Sequence, residues 1–344
     1  MLMKYASMVD LYAKREVIAE KVYFHDLSSA PELADIKDKY LEDTVYTIRF
    51  LANAMLVDEK LVFVNYMKWF GDLAYYLNFN LKSMERHFAA TIFVFEQIFN
   101  DELFPKIKEV YDEGVKAFLN SYSLDKDVDF VYDDFISFLI EMQSDKAYKY
   151  IEDKINEGMS LKNIYLQIFQ PTLYKVGMLW QQRVISVAKE HYITALIQHI
   201  IGRLYSFLFA GKEASKYSVT AVCAGSELHE IGMRMVADFF EMDGWDSAFL
   251  GSNLPVQMII DHLNENPTDL LAISATTASQ ILEVKSLIER IKTDDNLGKT
   301  KILVGGRAFN EAPGLWKKVG ADSYASDAEQ ALIIGKLLVG ENNG

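Results

Sequence analysis

Glu227, Leu228, His229, Glu230, Ile231 and Gly232 place a carboxylate two residues before an imidazole and a glycine three after it. An imidazole nitrogen is a metal ligand, and its second nitrogen needs an acceptor to fix tautomer and ring angle. Glu227 is near enough in sequence to be that acceptor. Gly232 leaves room for a flat ligand to approach the backbone. A plainer role is open as well: His229 as a polar residue at a helix start, with Glu230 favouring the helix N-terminus. A second group lies upstream, where Trp180 is followed, after nine residues, by Glu190 and His191. An indole covers a flat apolar surface, and a carboxylate accepts hydrogen bonds from hydroxyls. Ser186 as a helix N-cap puts Val187, Glu190 and His191 in the first turns, on a shared face. Alternatively, Trp180 is a core aromatic and Glu190 and His191 a solvated pair.

The elements that must position these groups change character along the chain. Residues 1–212 carry apolar side chains at spacings of three and four, with prolines only at Pro31, Pro105 and Pro171. The expected helices are 3–22, 33–56, 60–77, 80–99, 103–120 and 128–142, then 143–157, 160–180 and 186–209. Asp125 to Asp129 is a polar break and marks a domain boundary. From Tyr217 short β-branched runs alternate with helical stretches. Strands are expected at Ser218–Cys223, Ala248–Leu250, Leu270–Ser274, Lys301–Val304 and Ser323–Tyr324. Helices fit near 230–243, 255–265, 279–293, 310–319 and 327–338. Five βα units imply a parallel sheet covered on both faces, with ligands beyond the carboxyl ends of the strands. His229, Gly251, Ser274 and Gly305 all end or follow strands there.

The bulk numbers narrow the classes. A chain of 344 residues, half of them apolar, allows two or three domains. Mean hydropathy is near zero, and no apolar run is long enough to cross a bilayer. The first residues lack a signal-peptide stretch, so a cytoplasmic location without membrane attachment is expected. The 49 acidic and 35 basic side chains give a net charge of −14 without a segregated basic patch, which argues against nucleic acid as a partner. The single Cys223 rules out an internal disulfide and reads as a small core residue. No independent metal cluster, nucleophile elbow or P-loop suggests a catalytic activity of the chain's own.

The ordered set after residue 217 resembles the cobalamin-binding domain family, whose pattern is D/E-x-H-x-x-G, then S-x-L or S-x-T, then G-G. Here the set reads Glu227, His229, Gly232; Ser274, Thr276; Gly305, Gly306. The resemblance implies that His229 is the lower cobalt ligand, replacing the cofactor's own benzimidazole, with Glu227 as its partner. It implies further that Leu250, Gly251, Ser274, Thr276, Gly305 and Gly306 line a channel for the nucleotide tail. Glu227 stands where many members have Asp. The stretch 131–212 is similar to the helical bundle of the CarH-type adenosylcobalamin photoreceptors. On that likeness, Trp180, Val187, Glu190 and His191 hold the adenosyl group above the corrin. Those receptors have a His directly after the Trp, where this chain has Gln181; water or a rearranged His191 is then expected at the position that light vacates.

Residues 1–124 are dense in aromatics, among them Tyr66, Trp69, Phe70, Phe88 and Phe95. They form a helical core or dimer surface, or else a slot for a second planar chromophore. The run Leu51–Met55 leading to Phe63, Asn65, Tyr66 and Trp69 resembles the N-terminal helical domain of photocobilins, which pair cobalamin with a bilin. That likeness implies a biliverdin held without a thioether, since no Cys lies in this region. Arg49, Lys68, Arg86 and His87, with Trp69, are its candidate partners. Surface charge is the plainer role of each basic group.

Together these features give an α plus α/β chain. An all-helical domain at 1–127 is followed by a helical-bundle cap at 128–212 and a five-stranded parallel, flavodoxin- or Rossmann-like cobalamin-binding domain at 217–344. The function expected is a light sensor binding adenosylcobalamin and a bilin. Loss of the adenosyl group on illumination would shift the cap, change a homo-oligomer and pass the signal to a separate partner. A corrinoid methyl carrier serving a methyltransferase, or a cobalamin sensor indifferent to light, are the alternatives.

Overall fold

Short polar side chains open many of the helices. Ser7 and Asp10 form a reciprocal capping box, and Asn80, Asp133, Ser160, Ser186 and Asp327 each accept from a backbone N–H three residues on. The computed structural model describes residues 7–123, 133–205 and 216–340. The polar break expected at Asp125–Asp129 lies outside them, as do the outer ends of the helices expected at 3–22, 128–142 and 186–209. The chain divides into two units: Met1–Leu124 with Thr277–Leu282 and Glu311–Val319, and Asp125–Thr276 with Glu283–Asn310 and Gly320–Gly344.

In the first unit α1 (Met8–Ala13) and α2 (Arg15–Leu27) are separate helices, because Lys14 leaves the helical conformation. The single helix expected over 3–22 is thus interrupted. Pro31–Ile36 forms a 3-10 segment, so α3 (Lys37–Leu56) starts four residues later than expected. Then follow α4 (Leu61–Tyr76), α5 (Leu81–Ile98) and α6 (Phe104–Ser123). Their core is aromatic: Phe63, Phe95, Tyr111 and Phe118 are buried, and Phe50 stacks on Tyr66 at 4.0 Å.

The second unit begins with α7 (Asp134–Ile140), α8 (Ser144–Asn156) and α9 (Leu161–Ile164). A π turn over Tyr165–Phe169 joins α9 to α10 (Gln170–Gln181), and α11 (Val187–Leu204) completes the helical layer. The π turn sits within the uninterrupted helix expected over 160–180. The α/β part follows as β1 (Ser218–Cys223), α12 (Ile231–Met242), β2 (Asp246–Gly251), α13 (Val256–Glu265), β3 (Leu270–Ser274) and α14 (Ile281–Thr293). It ends with β4 (Lys301–Gly305), α15 (Arg307–Glu311), α16 (Leu315–Val319), β5 (Ser323–Ala325) and α17 (Ala328–Val339). The helix expected over 310–319 is two short ones, since Pro313 has no N–H to give and Gly314 adopts φ +95°.

All five strands run parallel in the order β2-β1-β3-β4-β5. The order reverses between β1 and β3, which opens a crevice beyond their carboxyl ends. Helices α7–α11 share one core with α12: Phe135, Tyr165, Phe169, Leu179 and Ile197 pack with Ile231, Met235 and Phe239. The helical layer therefore rests on the helix that starts two residues after His229.

Candidate cofactor site

The loop between β1 and α12 projects from the strand-end crevice. Glu227, with 1% of its surface exposed, organises it through hydrogen bonds with Leu228, His229 and Thr276. Its Oε1 accepts from the backbone N–H groups of Leu228 and His229, both at 2.9 Å, and lies 2.6 Å from His229 Nδ1. Its Oε2 accepts from the N–H of Thr276 at 2.6 Å. The two loops flanking the reversal point, after β1 and after β3, are thus tied by one carboxylate. Burial pushes that carboxyl up, but the His229 and Thr276 bonds outweigh burial and hold it below the usual range. His229 is shifted the other way. The Glu227 bond raises it, burial opposes, Glu190 adds to the rise and Arg307 offsets part of it.

The imidazole side chain remains 66% exposed. With Nδ1 donating to Glu227, its outer nitrogen is the one that carries a lone pair in the neutral ring. A Cβ added at Gly232, one turn further on, would meet nothing within 4 Å. Among the described residues no three His, Cys, Asp or Glu side chains converge as a metal cage. The donor set thus fits a metal that arrives with most of its ligands, as in a corrinoid, and needs one imidazole.

The remaining strand-end residues fall in two groups. Ser274 ends β3 and is buried; Thr276 holds Glu227; Gly251 ends β2, and Leu250 occupies a bulge, since Ala221 pairs with Phe249 and Val222 with Gly251. At Gly305 and Gly306 the physical reason differs from the expected one. A Cβ on Gly306, at φ +93°, would lie 2.6 Å from Ala275 O and 2.9 Å from Ser274 Oγ. On Gly305 it would lie 3.0 Å from Ala325 O. The fold itself demands these glycines, whether or not a nucleotide tail lies there.

On the helical layer, Trp180 is half-buried in the last turn of α10 and packs on the shared core. Val187 is exposed at the start of α11. Glu190 accepts from Thr194 Oγ1 at 2.9 Å and lies 2.5 Å from His191 Nδ1, so both its oxygens have partners within its own helix. Three residues join the site without having been expected. Glu230 accepts from Gln198 Nε2 of α11 at 3.1 Å and from Ser252 Oγ at 2.8 Å, which ties the helical layer and the end of β2 to the residue after His229. The only sequence signal was that adjacency.

Among the described residues, the five bilin candidates make contacts with different neighbours. Arg86 Nε donates to buried Asp26 at 2.6 Å, and His87 Nδ1 lies 2.7 Å from Tyr40 OH. Arg49 donates to Ser279 O at 3.2 Å, Lys68 is exposed, and Trp69 packs against Tyr66 with ring centroids 6.2 Å apart. Arg86 and His87 are therefore not the plain surface charges that each could have been. Among the remaining histidines, His25 stacks on Phe93 at 4.3 Å and His199 meets the Tyr148 ring edge at 5.8 Å. Cys223 is buried, its thiol pushed up to about 12 by burial. Among the described residues no helix is long and apolar enough to cross a membrane.

Comparison with known proteins agrees with this geometry. Residues 131–205 and 217–333 each match a model described as a B12 binding domain. The dimethylamine corrinoid protein of Methanosarcina barkeri is 31% identical over 114 residues, covering 33% of this chain and 52% of that one. A corrinoid protein of Desulfitobacterium hafniense is 24% identical over 128 residues, covering 37% and 58%. The chain thus spans about half the length of the curated relatives it matches. The structure of the Methanosarcina barkeri monomethylamine corrinoid protein superposes with a TM-score of 0.52 at 16% identity, over 60% of this chain and 97% of that one, and shares the fold. Residues 131–333 carry a cobalamin-binding module, a helical layer followed by a parallel α/β domain.

Proposed function

We propose that this chain is a corrinoid carrier that presents its cofactor to a separate methyltransferase and has no catalytic activity of its own. The observation that carries the reading is the Glu227–His229 pair: a buried carboxylate fixing one nitrogen of a largely exposed imidazole. A corrinoid bound there supplies a cobalt centre that can accept and give up a methyl group. The chain's part is to hold and orient it. Glu227 sets the tautomer of His229 and strengthens it as a ligand, and Thr276 fixes Glu227 in turn. Ser274 and Thr276 offer polar groups, and Leu250, Gly251, Gly305 and Gly306 the wall, for a nucleotide tail. Relatives named for dimethylamine and monomethylamine support the choice, because both compounds have methyl groups to part with.

One observation favours a second reading, a light sensor loaded with adenosylcobalamin. Glu190 is close enough to act on the charge of His229, and Trp180, Val187 and His191 lie on the same two helices. Here these four residues would cover the upper ligand, and illumination would change the state of a homo-oligomer. A noncovalent biliverdin in the first unit belongs to this reading, but to use Arg86 and His87 it must displace Asp26 and Tyr40.

The deciding experiment loads the full chain separately with methylcobalamin and adenosylcobalamin. Methyl transfer to a thiol acceptor by a methyltransferase, with the same elution volume before and after green light, supports the carrier. A light-induced change in spectrum and elution volume confined to the adenosyl form replaces it with the sensor.

A further inference from the structure

We propose that Glu283, in the first turn of α14, is a positioning residue for His229: its carboxylate holds the turn that delivers Glu227 to the imidazole. The inference rests on the reading of His229 as the lower ligand.

Residues 224–227 form a tight turn between β1 and His229. The Glu227 N–H closes it by donating to Ala224 O at 3.0 Å, and the Ala224 N–H ties its start to the sheet by donating to Ser274 O at 3.0 Å. The N–H of Ser226, between them, has its acceptor on another element: Glu283 Oε2, at 3.1 Å. Gly225 makes room for that oxygen. It adopts φ +51°, the left-handed region that favours glycine. A Cβ added there would overlap Glu283 Oε2 and lie 2.5 Å from the carboxyl carbon. The carboxylate thus occupies the place of a missing side chain. Ser226 is exposed, so water would satisfy its N–H as well. What Glu283 adds is a fixed direction. All of these residues belong to the second unit.

The path from this contact to the imidazole is short. Only the φ and ψ of Ser226 separate the peptide plane held by Glu283 from the plane that carries the Glu227 N–H. The bond of that N–H to Ala224 O restrains both torsions. Glu227 then bonds the Leu228 and His229 N–H groups and Nδ1 of His229. Two carboxylates therefore hold one loop, Glu283 at residue 226 and Glu227 at residues 228 and 229. Without Glu283 the turn keeps its bonds to Ala224 and Ser274 but loses the one that fixes its outer peptide. Glu227, and with it the imidazole, then samples more orientations.

The test uses the full chain. Glu283→Ala removes the acceptor, whereas Glu283→Gln keeps an oxygen for the Ser226 N–H. Gly225→Ala puts a methyl group where the carboxylate lies and expels it, which gives a second route to the same loss. Glu289→Ala is the control, since it removes another carboxylate of α14, one that lies 3.8 Å from Lys285 Nζ. His229→Ala marks full loss of the ligand. In the apoprotein, hydrogen exchange across 224–229 is expected to quicken in Glu283→Ala and Gly225→Ala, with exchange in β3 unchanged. Glu283→Gln and Glu289→Ala should exchange as wild type does. After loading with cob(II)alamin, the nitrogen superhyperfine splitting in the electron paramagnetic resonance spectrum reports the coordinated imidazole. Its fraction is expected to fall in Glu283→Ala and to be restored in Glu283→Gln. Cobalamin binding by Glu283→Ala should weaken about 3- to 10-fold, below the roughly 10–100-fold cost of losing a direct partner of a metal ligand. Gly225→Ala should cost less in the Glu283→Ala background than in wild type, because the carboxylate it expels is already gone. Wild-type exchange and splitting in both Glu283→Ala and Gly225→Ala, with His229→Ala altered, overturn the role of Glu283 alone. Equal losses in Glu283→Ala and Glu283→Gln do the same. An unaltered splitting in His229→Ala overturns the lower-ligand reading, and the inference with it.

Discussion

His229 and His87 each stand near a carboxylate that is 1% exposed, Glu227 and Asp26, and the two neighbourhoods differ in what lies between. At His229 nothing intervenes: Oε1 touches Nδ1, the ring projects outward, and its basicity rises. At His87 the phenol of Tyr40 intervenes, donating to Asp26 at 3.0 Å and leaving its oxygen for the imidazole. Asp26 is also paired with Arg86. Burial lowers His87 to about 4; Asp26 pulls it back in part, and Arg86 pushes it further down. The first arrangement prepares an imidazole for a cation at its outer nitrogen. The second keeps one neutral as a fixed donor. On the proposed reading, a carboxylate nearby is not enough to make a ligand; direct pairing on an exposed ring is the feature that suits one.

The sharpest way to break this contrast is to exchange the two histidines for inert side chains and measure cobalamin retention by equilibrium dialysis. His229→Ala should weaken hydroxocobalamin binding by more than about 100-fold, beyond the range for partners of a ligand, while His87→Gln leaves it unchanged. Equal losses would erase the distinction. Glu227→Gln comes next. It keeps the shape but loses the charge, and should cost about 10–100-fold in affinity, with His229 titrating lower in an NMR pH series.

Stability against pH should then move in opposite directions at the two sites. His87 is depressed, so its contribution is full above its unfolded value near 6.5 and is lost as pH falls toward 4. His229 is raised, so its contribution is full below 6.5 and is lost as pH climbs through its elevated value. Urea denaturation of the apoprotein from pH 4 to 8 checks both signs. The acid loss should be about 3 kcal/mol and absent in His87→Gln. Smallest is Tyr40→Phe, which removes the phenol bridging His87 and Asp26 and should cost about 1 kcal/mol, read from the urea midpoint.

The α/β half of the molecule was legible because its sequence changes period at Tyr217, and that change is a backbone property. Strand β2 runs two residues further back than expected, to Asp246, where partly exposed residues blur the apolar signal. The π turn at Tyr165–Phe169 was not anticipated, although Pro171 lacks the N–H that an ordinary α turn would give to the carbonyl of Gln167. The loop around Glu227 and His229 could be anticipated because its partners are two residues apart. The cluster of Asp26, Tyr40, Arg86 and His87 could not, because its members are up to 61 residues apart and meet only through tertiary packing. Arg86 and His87 therefore looked like unattached bases beside aromatics. The hydrogen bond from Asn53 to Ala278 O spans 225 residues and was invisible for the same reason.

Tyr165, in the π turn, donates to Asp238 of α12 at 2.8 Å, and Arg234 meets the other oxygen of that buried carboxylate at 2.8 Å. Prising the helices away there would strip a sequestered anion of one of its two partners, a costly rupture. The bundle is consequently riveted at one end.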